Sequence, residues 1–234
     1  MAMWSFTAEE VTAIILSLKV AGVATLAMLP IGVMLAWILA RCHFWGKTIV
    51  NGLVHLPLVL PPVVTGYLLL LSFGRKGVAG AFLDQCCGFT FSFRWTGAAL
   101  AAAVMGLPLM VRAVRLTIEQ VDARLESAAA TLGASPLRIF ATVTLPLAIP
   151  GLITGSILAF AKALGEFGAT ITFVSSIPGE TQTIALAIYG LTQVPGGDAA
   201  VLRLAAVSIV ISLAALAASE ILARRLTQRV AGFA

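Results

Sequence analysis

Two ionisable residues four positions apart, Lys162 and Glu166, lie inside a long apolar stretch of the sequence. In a membrane span such groups are rare and are candidates for a substrate or ion pathway by default. At this spacing the two side chains share one face of a helix, where opposite charges can satisfy each other. The pair therefore has two interpretations: an ion pair that fixes an outer gate, which we favour, or a direct contact to an anionic substrate.

The tripeptide Gly46-Lys47-Thr48 is similar to the end of a phosphate-binding loop. That loop needs a glycine five residues before Gly46, and position 41 is Arg. The sequence also lacks the His-Glu-x-x-His and Gly-x-Ser-x-Gly patterns of metalloproteases and serine hydrolases. The two histidines, His43 and His55, have no Cys or carboxylate cluster beside them. We predict no catalytic residue, no metal site and no cofactor, so the chain is not expected to be an enzyme.

The composition identifies the class of protein that must position these residues. The chain has 234 residues, of which 60% are hydrophobic and 11% are charged, against about 25% charged in an average soluble domain. This composition indicates an integral membrane protein built from helices. The formal net charge is +5, but the basic residues are dispersed between the apolar stretches, which favours membrane topology over nucleic-acid binding as the explanation.

The hydropathy pattern predicts five membrane spans in a single domain covering residues 1–234. They lie at about residues 11–40, 49–73, 96–114, 145–170 and 199–223, each near the roughly 20 residues that cross a bilayer. Pro61-Pro62 removes two backbone donors and predicts a break within the second span. Thr65 and Gly66 follow this break and are candidates for lining the translocation pathway. A packing kink without solvent contact is an equal alternative.

Counting basic residues predicts the orientation. With five spans, nine Lys and Arg residues fall on one side, in residues 41–47, 112–144 and 224–234, and three fall on the other, Arg75, Lys76 and Arg94. The positive-inside rule then places the C-terminus in the cytoplasm and the N-terminus outside. We expect residues 181–191 to form a short helix at the outer surface. If they crossed the membrane, the chain would have six spans. Lys19 is expected to snorkel, and Arg203 to snorkel or to guard the outer mouth.

The longest polar interruption, residues 122–146, has a strong local pattern. Residues 126–132 are rich in Ala and Leu, and Gly133 follows where a left-handed C-terminal cap favours glycine. Ser135-Pro136 then supplies an N-cap hydroxyl and a proline at the first helical position. The pattern predicts two short helices joined by a capped elbow, which project from the cytoplasmic face of the membrane as a rigid knob.

This stretch resembles the cytoplasmic coupling loop of ABC-importer permeases, whose pattern is Glu-Ala-Ala, three residues, Gly, nine residues and Ile-x-Leu-Pro. Aligned on Gly133, the matching positions are Ser127, Ala128, Ala129, Val143, Leu145 and Pro146. Ser127 replaces the usual Glu, and Glu126 lies one residue earlier, which leaves the docking role of that carboxylate open. The resemblance implies that the coupling loop, residues 119–144, contacts an ATPase together with the two residues that follow it. The contacting residues are Glu126, Ser127, Ala128, Ala129, Gly133, Ser135, Pro136, Leu145 and Pro146.

Three further segments resemble permease subunits of molybdate ABC importers. They are Leu-Gly-Glu-Phe-Gly-Ala-Thr at residues 164–170, Ser-Ile-Pro-Gly-Glu-Thr at 176–181 and His-Leu-Pro-Leu-Val-Leu-Pro-Pro-Val-Val at 55–64. The resemblance implies a type I ABC-importer permease core in the cell inner membrane, with five spans, a coupling helix and a short periplasmic-side helix. It also implies a homodimer, two copies of a separate ATPase, and an external binding protein that delivers molybdate and also tungstate. Because the Gly-Glu-Phe-Gly-Ala piece is shared with sulfate and thiosulfate permeases, those anions are the main alternative, and a self-contained secondary transporter is a weaker one.

Overall fold

The computed structural model describes residues 5–231. Within them the chain is helical and contains no strand. The helices are α1 (Ala8–Arg41), α2 (Lys47–Val59), α3 (Pro62–Phe73), α4 (Val78–Cys87), α5 (Trp95–Gln120), α6 (Ala123–Thr131), α7 (Pro136–Ile139), α8 (Leu145–Leu164), α9 (Gly168–Val174), α10 (Ile184–Thr192) and α11 (Asp198–Ala231). A π-helical turn, Phe140–Thr144, joins α7 to α8.

Four of these helical segments are long and apolar enough to cross a membrane: Ala8–Arg41, Trp95–Gln120, Pro136–Leu164 and Asp198–Ala218. The pair α2 and α3 makes a fifth span if it is counted as one, although its two halves are bent by 115°. The predicted break at Pro61-Pro62 is therefore confirmed. Helix α10 has nine residues, which is too short to cross, so the five-span fold is confirmed over the six-span alternative.

Helix α5 lies at the centre of the bundle, between α1 and α8. Small residues allow these helices to approach closely. Gly151 and Gly155 give α8 a flat face towards α5: a Cβ built on Gly155 would lie 3.2 Å from the carbonyl oxygen of Met110 in α5, and one on Gly151 would lie 2.6 Å from Cβ of Thr117. Close packing of α5 against α8 thus joins the coupling end of the molecule to its opposite end.

Several helices end at residues other than the predicted ends of the spans. The third span was expected to end at residue 114, but α5 continues to Gln120 because an exposed ion pair between Arg115 and Glu119 supports its last turns. The polar loop therefore begins after residue 120 instead of at 119. The fourth span was expected to reach residue 170, but α8 ends at Leu164, before Gly165, and α9 is a separate helix. Helix α4 lies between the second and third predicted spans, where the hydropathy pattern predicted no span.

Two long-range contacts fix how the spans are arranged end to end. Arg41, at the C-terminal end of α1, contacts Glu126 of α6 at 3.2 Å. Arg203, near the start of α11, contacts Glu10 near the start of α1 at 2.7 Å. Helix α11 therefore begins at the end of the bundle opposite α6 and runs towards the α6 end, as five spans require. Which end faces the cytoplasm stays a prediction, and residues 1–4 and 232–234 lie outside the described residues.

Long-range contacts also give partners to two isolated cations. The Arg203 side chain is 13% exposed and pairs with the buried Glu10 carboxylate, and its role at the outer mouth stays a prediction. Lys19 lies with its Nζ 3.8 Å from the centroid of the Trp95 ring, a cation–π contact between α1 and α5. Neither partner was accessible to sequence reasoning, because each lies far away along the chain.

Candidate coupling and gating site

Helix α6 is the first helix of the predicted coupling loop, and none of its residues is fully buried. Asp122 is its N-cap and accepts a hydrogen bond from the Arg124 N–H at 2.9 Å. At its other end Gly133 has φ of +82°, the left-handed conformation that favours glycine. The Gly133 N–H donates to the Ala130 carbonyl and the Ala134 N–H donates to the Ala129 carbonyl. The predicted helix and its glycine cap are confirmed.

The second arm of the predicted knob is not a separate short helix. Ser135 lies at the N-cap of α7 and Pro136 at its start, as predicted, but the Ser135 hydroxyl makes no capping bond. Helix α7 continues without interruption through the π-helical turn into α8, and the Leu145 N–H donates to the Phe140 carbonyl across this turn. No strong helix breaker occurs between residues 137 and 144, and a π turn accommodates the extra residue within one helix. The elbow therefore joins α6 directly to the base of a membrane span.

Much of the coupling surface is exposed. Small residues face solvent on α6, and three leucine side chains beside them, Leu125, Leu132 and Leu137, are 50%, 88% and 77% exposed. An exposed apolar patch on a polar loop is typical of an interaction surface. Among the predicted coupling residues, the exposed ones are Ser127, Ala128, Gly133, Ser135, Pro136 and Pro146, and the partly buried ones are Glu126, Ala129 and Leu145.

Glu126 turns inward and joins three helices. Its Oε1 accepts hydrogen bonds from Arg41 Nε at 3.2 Å and from Thr144 Oγ1 at 2.7 Å. Arg41 also donates from Nη2 to the Val121 carbonyl at 2.9 Å. We call Arg41, Glu126 and Thr144 the brace. It ties the end of α1 to α6 and to the base of α8, and a carboxylate used in this way is not free to reach a partner.

Lys162 and Glu166 form the predicted ion pair, with Lys162 Nζ 2.7 Å from Glu166 Oε2. The expectation that both belong to one helix is wrong, because Glu166 lies beyond the end of α8. The other carboxylate oxygen, Oε1, accepts a hydrogen bond from the Ala169 N–H in the first turn of α9 at 3.0 Å. Glu166 is 2% exposed. The pair therefore links the end of α8 to the start of α9.

Gly66 lies where α3 meets α9. A Cβ built on it would be 2.5 Å from the Ala169 carbonyl oxygen and 2.9 Å from Cβ of Thr172, so only glycine allows this approach. Thr65 is 5% exposed, and its hydroxyl has no hydrogen-bond partner among the described residues. In this conformation Gly66 serves a helix contact, and the pathway role of Thr65 and Gly66 stays a prediction.

A family model described as "Binding-protein-dependent transport system inner membrane component" matches residues 28–228. The chain belongs to this family. The matched region of this inner membrane component contains the brace, α6 and the Lys162–Glu166 pair. One sequence relative is the molybdenum transport system permease protein ModB of Escherichia coli (strain K12). It is 57% identical over 93% of this chain and 95% of its own length.

Two other relatives widen the comparison. ModB of Haemophilus influenzae is 52% identical over 94% of this chain and 96% of its own length. The sulfate transport system permease protein CysT of Salmonella typhimurium is 36% identical over 96% of this chain and 80% of its own length. These proteins are named as permeases and not as enzymes, which agrees with the sequence-based expectation for this chain.

Solved structures show the same fold at low sequence identity. A chain of a bacterial ABC transporter involved in alginate import is 18% identical, with a TM-score of 0.74 over 95% of this chain and 81% of its own. A chain of the inward-facing MetNI methionine ABC transporter is 15% identical, with a TM-score of 0.71 over 92% of this chain and 95% of its own. The fold of this inner membrane component is therefore that of type I ABC-importer permeases, as predicted.

Proposed function

We propose that this chain is the membrane permease subunit of an ATP-driven importer that moves molybdate, and also tungstate, into the cell. The observation that carries the proposal is the contrast between 57% identity to a molybdenum transport permease and 36% identity to a sulfate one, both over more than nine tenths of this chain. The resemblance of residues 176–181 to the molybdate group points in the same direction. Import of sulfate or thiosulfate is the alternative.

Energy for transport comes from a separate ATPase, two copies of which dock on a homodimer of this chain. The absence of a phosphate-binding loop in the sequence and the exposed Leu and Ala surface of α6 both support this assignment. The ATPase pair sits in the cytoplasm, on the same side as the C-terminus. An external binding protein delivers the oxyanion to the opposite face, where the N-terminus lies. The whole assembly belongs to the cell inner membrane.

Force from the ATPase passes from α6 to the far end of the bundle through a short series of contacts. The brace transfers displacement of α6 to α1 and to the base of α8. Helix α8 has 20 residues and spans about 30 Å at 1.5 Å per residue. Its far end is tied by Glu166 to α9, which packs on Gly66 of the bent pair α2 and α3. Movement of α8 therefore shifts α3, which contains the candidate pathway residues Thr65 and Gly66.

Uptake into proteoliposomes tests the proposed cargo. The chain is reconstituted with its ATPase, and the external binding protein is loaded with molybdate, tungstate or sulfate. We expect ATP-dependent uptake of molybdate and tungstate, and uptake of sulfate that is lower by about tenfold or more. A preference for sulfate would establish the alternative cargo. Uptake by the chain without any ATPase would identify a secondary transporter instead and would refute the proposal.

The brace makes a testable contribution to coupling. Arg41→Gln removes the charged donor from Glu126 and Val121, and hydrogen bonds to charged groups contribute about 1.5–3 kcal/mol. We expect normal abundance in the membrane, with ATP-driven uptake reduced by about tenfold and ATP hydrolysis less affected. Glu119→Gln is the control, because it breaks only an ion pair within α5 and leaves the Arg115 hydrogen bond to Asn51 of α2 in place. Equal uptake by the Arg41→Gln variant and the wild type would show that the brace has no role in coupling.

A further inference from the structure

A pocket of about 630 Å³ lies at the end of the bundle opposite α6. It is formed by the end of α3, the turn that follows it, and the segment that leads into α5. Three basic residues line it: Arg75, Lys76 and Arg94. None of the three forms an ion pair with a residue of the described chain, and no acidic residue lines the pocket. The pocket therefore concentrates three positive charges without a counter-charge, which attracts anions.

Two hydroxyl side chains complete the lining. Thr90 and Ser92 are 7% and 8% exposed and line the pocket. Neither hydroxyl has a hydrogen-bond partner among the described residues, and neither oxygen is one of the fully buried unpartnered atoms. Both oxygens are therefore accessible from the pocket, where a bound ligand can pair with them. Phe93, between Ser92 and Arg94, has φ of +60°, a conformation that is rare for a bulky residue.

The chemistry of the lining restricts the ligand. Guanidinium and ammonium groups only donate hydrogen bonds, and a hydroxyl donates when its neighbour only accepts. A ligand that satisfies all five side chains must therefore be rich in acceptor oxygens and carry negative charge. Arginine matches phosphate-like groups particularly well, because its planar fork can make two parallel hydrogen bonds to one oxyanion.

We propose that this pocket binds a tetrahedral oxyanion group, presented either as the phosphate of a phospholipid headgroup or as a free oxyanion. Leu70 and Leu71 of α3 border the pocket, so an acyl chain could lie along α3 below a bound headgroup. A free oxyanion would use the same donors. The inference depends on the pocket alone and stands whether or not molybdate is the cargo.

Two binding measurements on the purified full-length chain distinguish the sources. In phosphatidylcholine nanodiscs, calorimetric titration with inorganic phosphate and with molybdate tests for a free oxyanion. In detergent, native mass spectrometry after addition of phosphatidylglycerol tests for a retained headgroup. We expect saturable binding in at least one measurement. The triple variant Arg75→Gln, Lys76→Gln, Arg94→Gln should weaken it by about tenfold or more, because charge-assisted hydrogen bonds dominate such sites.

Two further variants separate a built site from diffuse attraction. Thr90→Val with Ser92→Ala removes both hydroxyls without changing the charge, and binding should weaken by about threefold or more. Ser92→Ala alone replaces this pair if the double variant does not fold. Lys47→Gln, at the other end of the bundle, is the control and should leave binding unchanged. The proposal is overturned if no anion binds or if only the charge variant weakens binding.

Discussion

Gly133→Val is expected to leave the chain inserted in the membrane but to reduce ATP-driven uptake by about tenfold or more. Gly133 has φ of +82°, and nothing lies within 4 Å of a Cβ built on it. The cost of the substitution therefore comes from the backbone and not from a clash. A β-branched residue held in this conformation is strained by about 1–3 kcal/mol, and the elbow between α6 and α7 relieves this strain by changing its angle. Helix α6 would then meet the ATPase in the wrong orientation.

Two variants make this result specific. Gly133→Asn should retain most uptake, because asparagine tolerates the left-handed conformation better than other residues with a Cβ. Gly196→Val introduces the same strain at a glycine with φ of +83° and free space around it, just before α11 at the opposite end of the bundle. It should leave coupling intact. Uptake and ATP hydrolysis are measured in proteoliposomes with matched amounts of each variant. Equal losses at positions 133 and 196 would contradict a coupling role for the elbow.

The features that the sequence predicted correctly depend on neighbouring residues. The break at Pro61-Pro62 has a local cause, since neither proline has a backbone N–H and Pro62 disfavours the helical conformation at Pro61. A glycine after an Ala-rich turn predicts the cap at Gly133. The spacing of Gly151 and Gly155 predicts a flat helix face whichever helix covers it. In each case the physical cause lies within a few residues, so it can be identified before the fold is known.

The features that were missed depend on contacts across the fold. Glu126 has the right position for a docking residue, but its partners Arg41 and Thr144 come from the ends of two different spans. Only the folded bundle brings these ends together. The ends of α8 and α9 were missed for a related reason. A continuous apolar stretch predicts one span, whereas the Glu166 carboxylate caps a new helix and so allows the chain to break there.

The angle between α2 and α3 also depends on contacts across the fold, so the sequence does not predict it. The sequence predicts that α2 and α3 are separated by a break, but not that their axes differ by 115°. That angle depends on what α3 packs against, and its contact with α9 is possible because Gly66 has no side chain. Thr65 and Gly66 were predicted to line the pathway because they follow the Pro61-Pro62 break. The structure shows that Gly66 allows close helix packing, and the pathway role stays a prediction.

The second large effect is expected at the buried ion pair between α1 and α11. Arg203 contacts Glu10 through Nη2 at 2.7 Å and through Nε at 3.2 Å, and the two side chains are 13% and 5% exposed. Arg203→Gln leaves the Glu10 carboxylate buried, with the Thr7 N–H as its remaining donor. Removing one partner of a buried pair costs about 3 kcal/mol or more. In a chain of this size that corresponds to a loss of about 10 °C in the midpoint of thermal unfolding.

Two comparisons identify the uncompensated charge as the cause. The double variant Glu10→Gln with Arg203→Gln removes both charges and keeps an acceptor for the Thr7 N–H, so it should be more stable than Arg203→Gln alone. Glu119→Gln breaks an exposed pair within one helix and leaves the Arg115 hydrogen bond to Asn51 in place, and loss of such a pair typically changes stability by about 1 kcal/mol or less. Thermal unfolding of the purified chain is followed by circular dichroism in one detergent. If Arg203→Gln and Glu119→Gln lower the midpoint equally, the pair between α1 and α11 does not hold the two spans together.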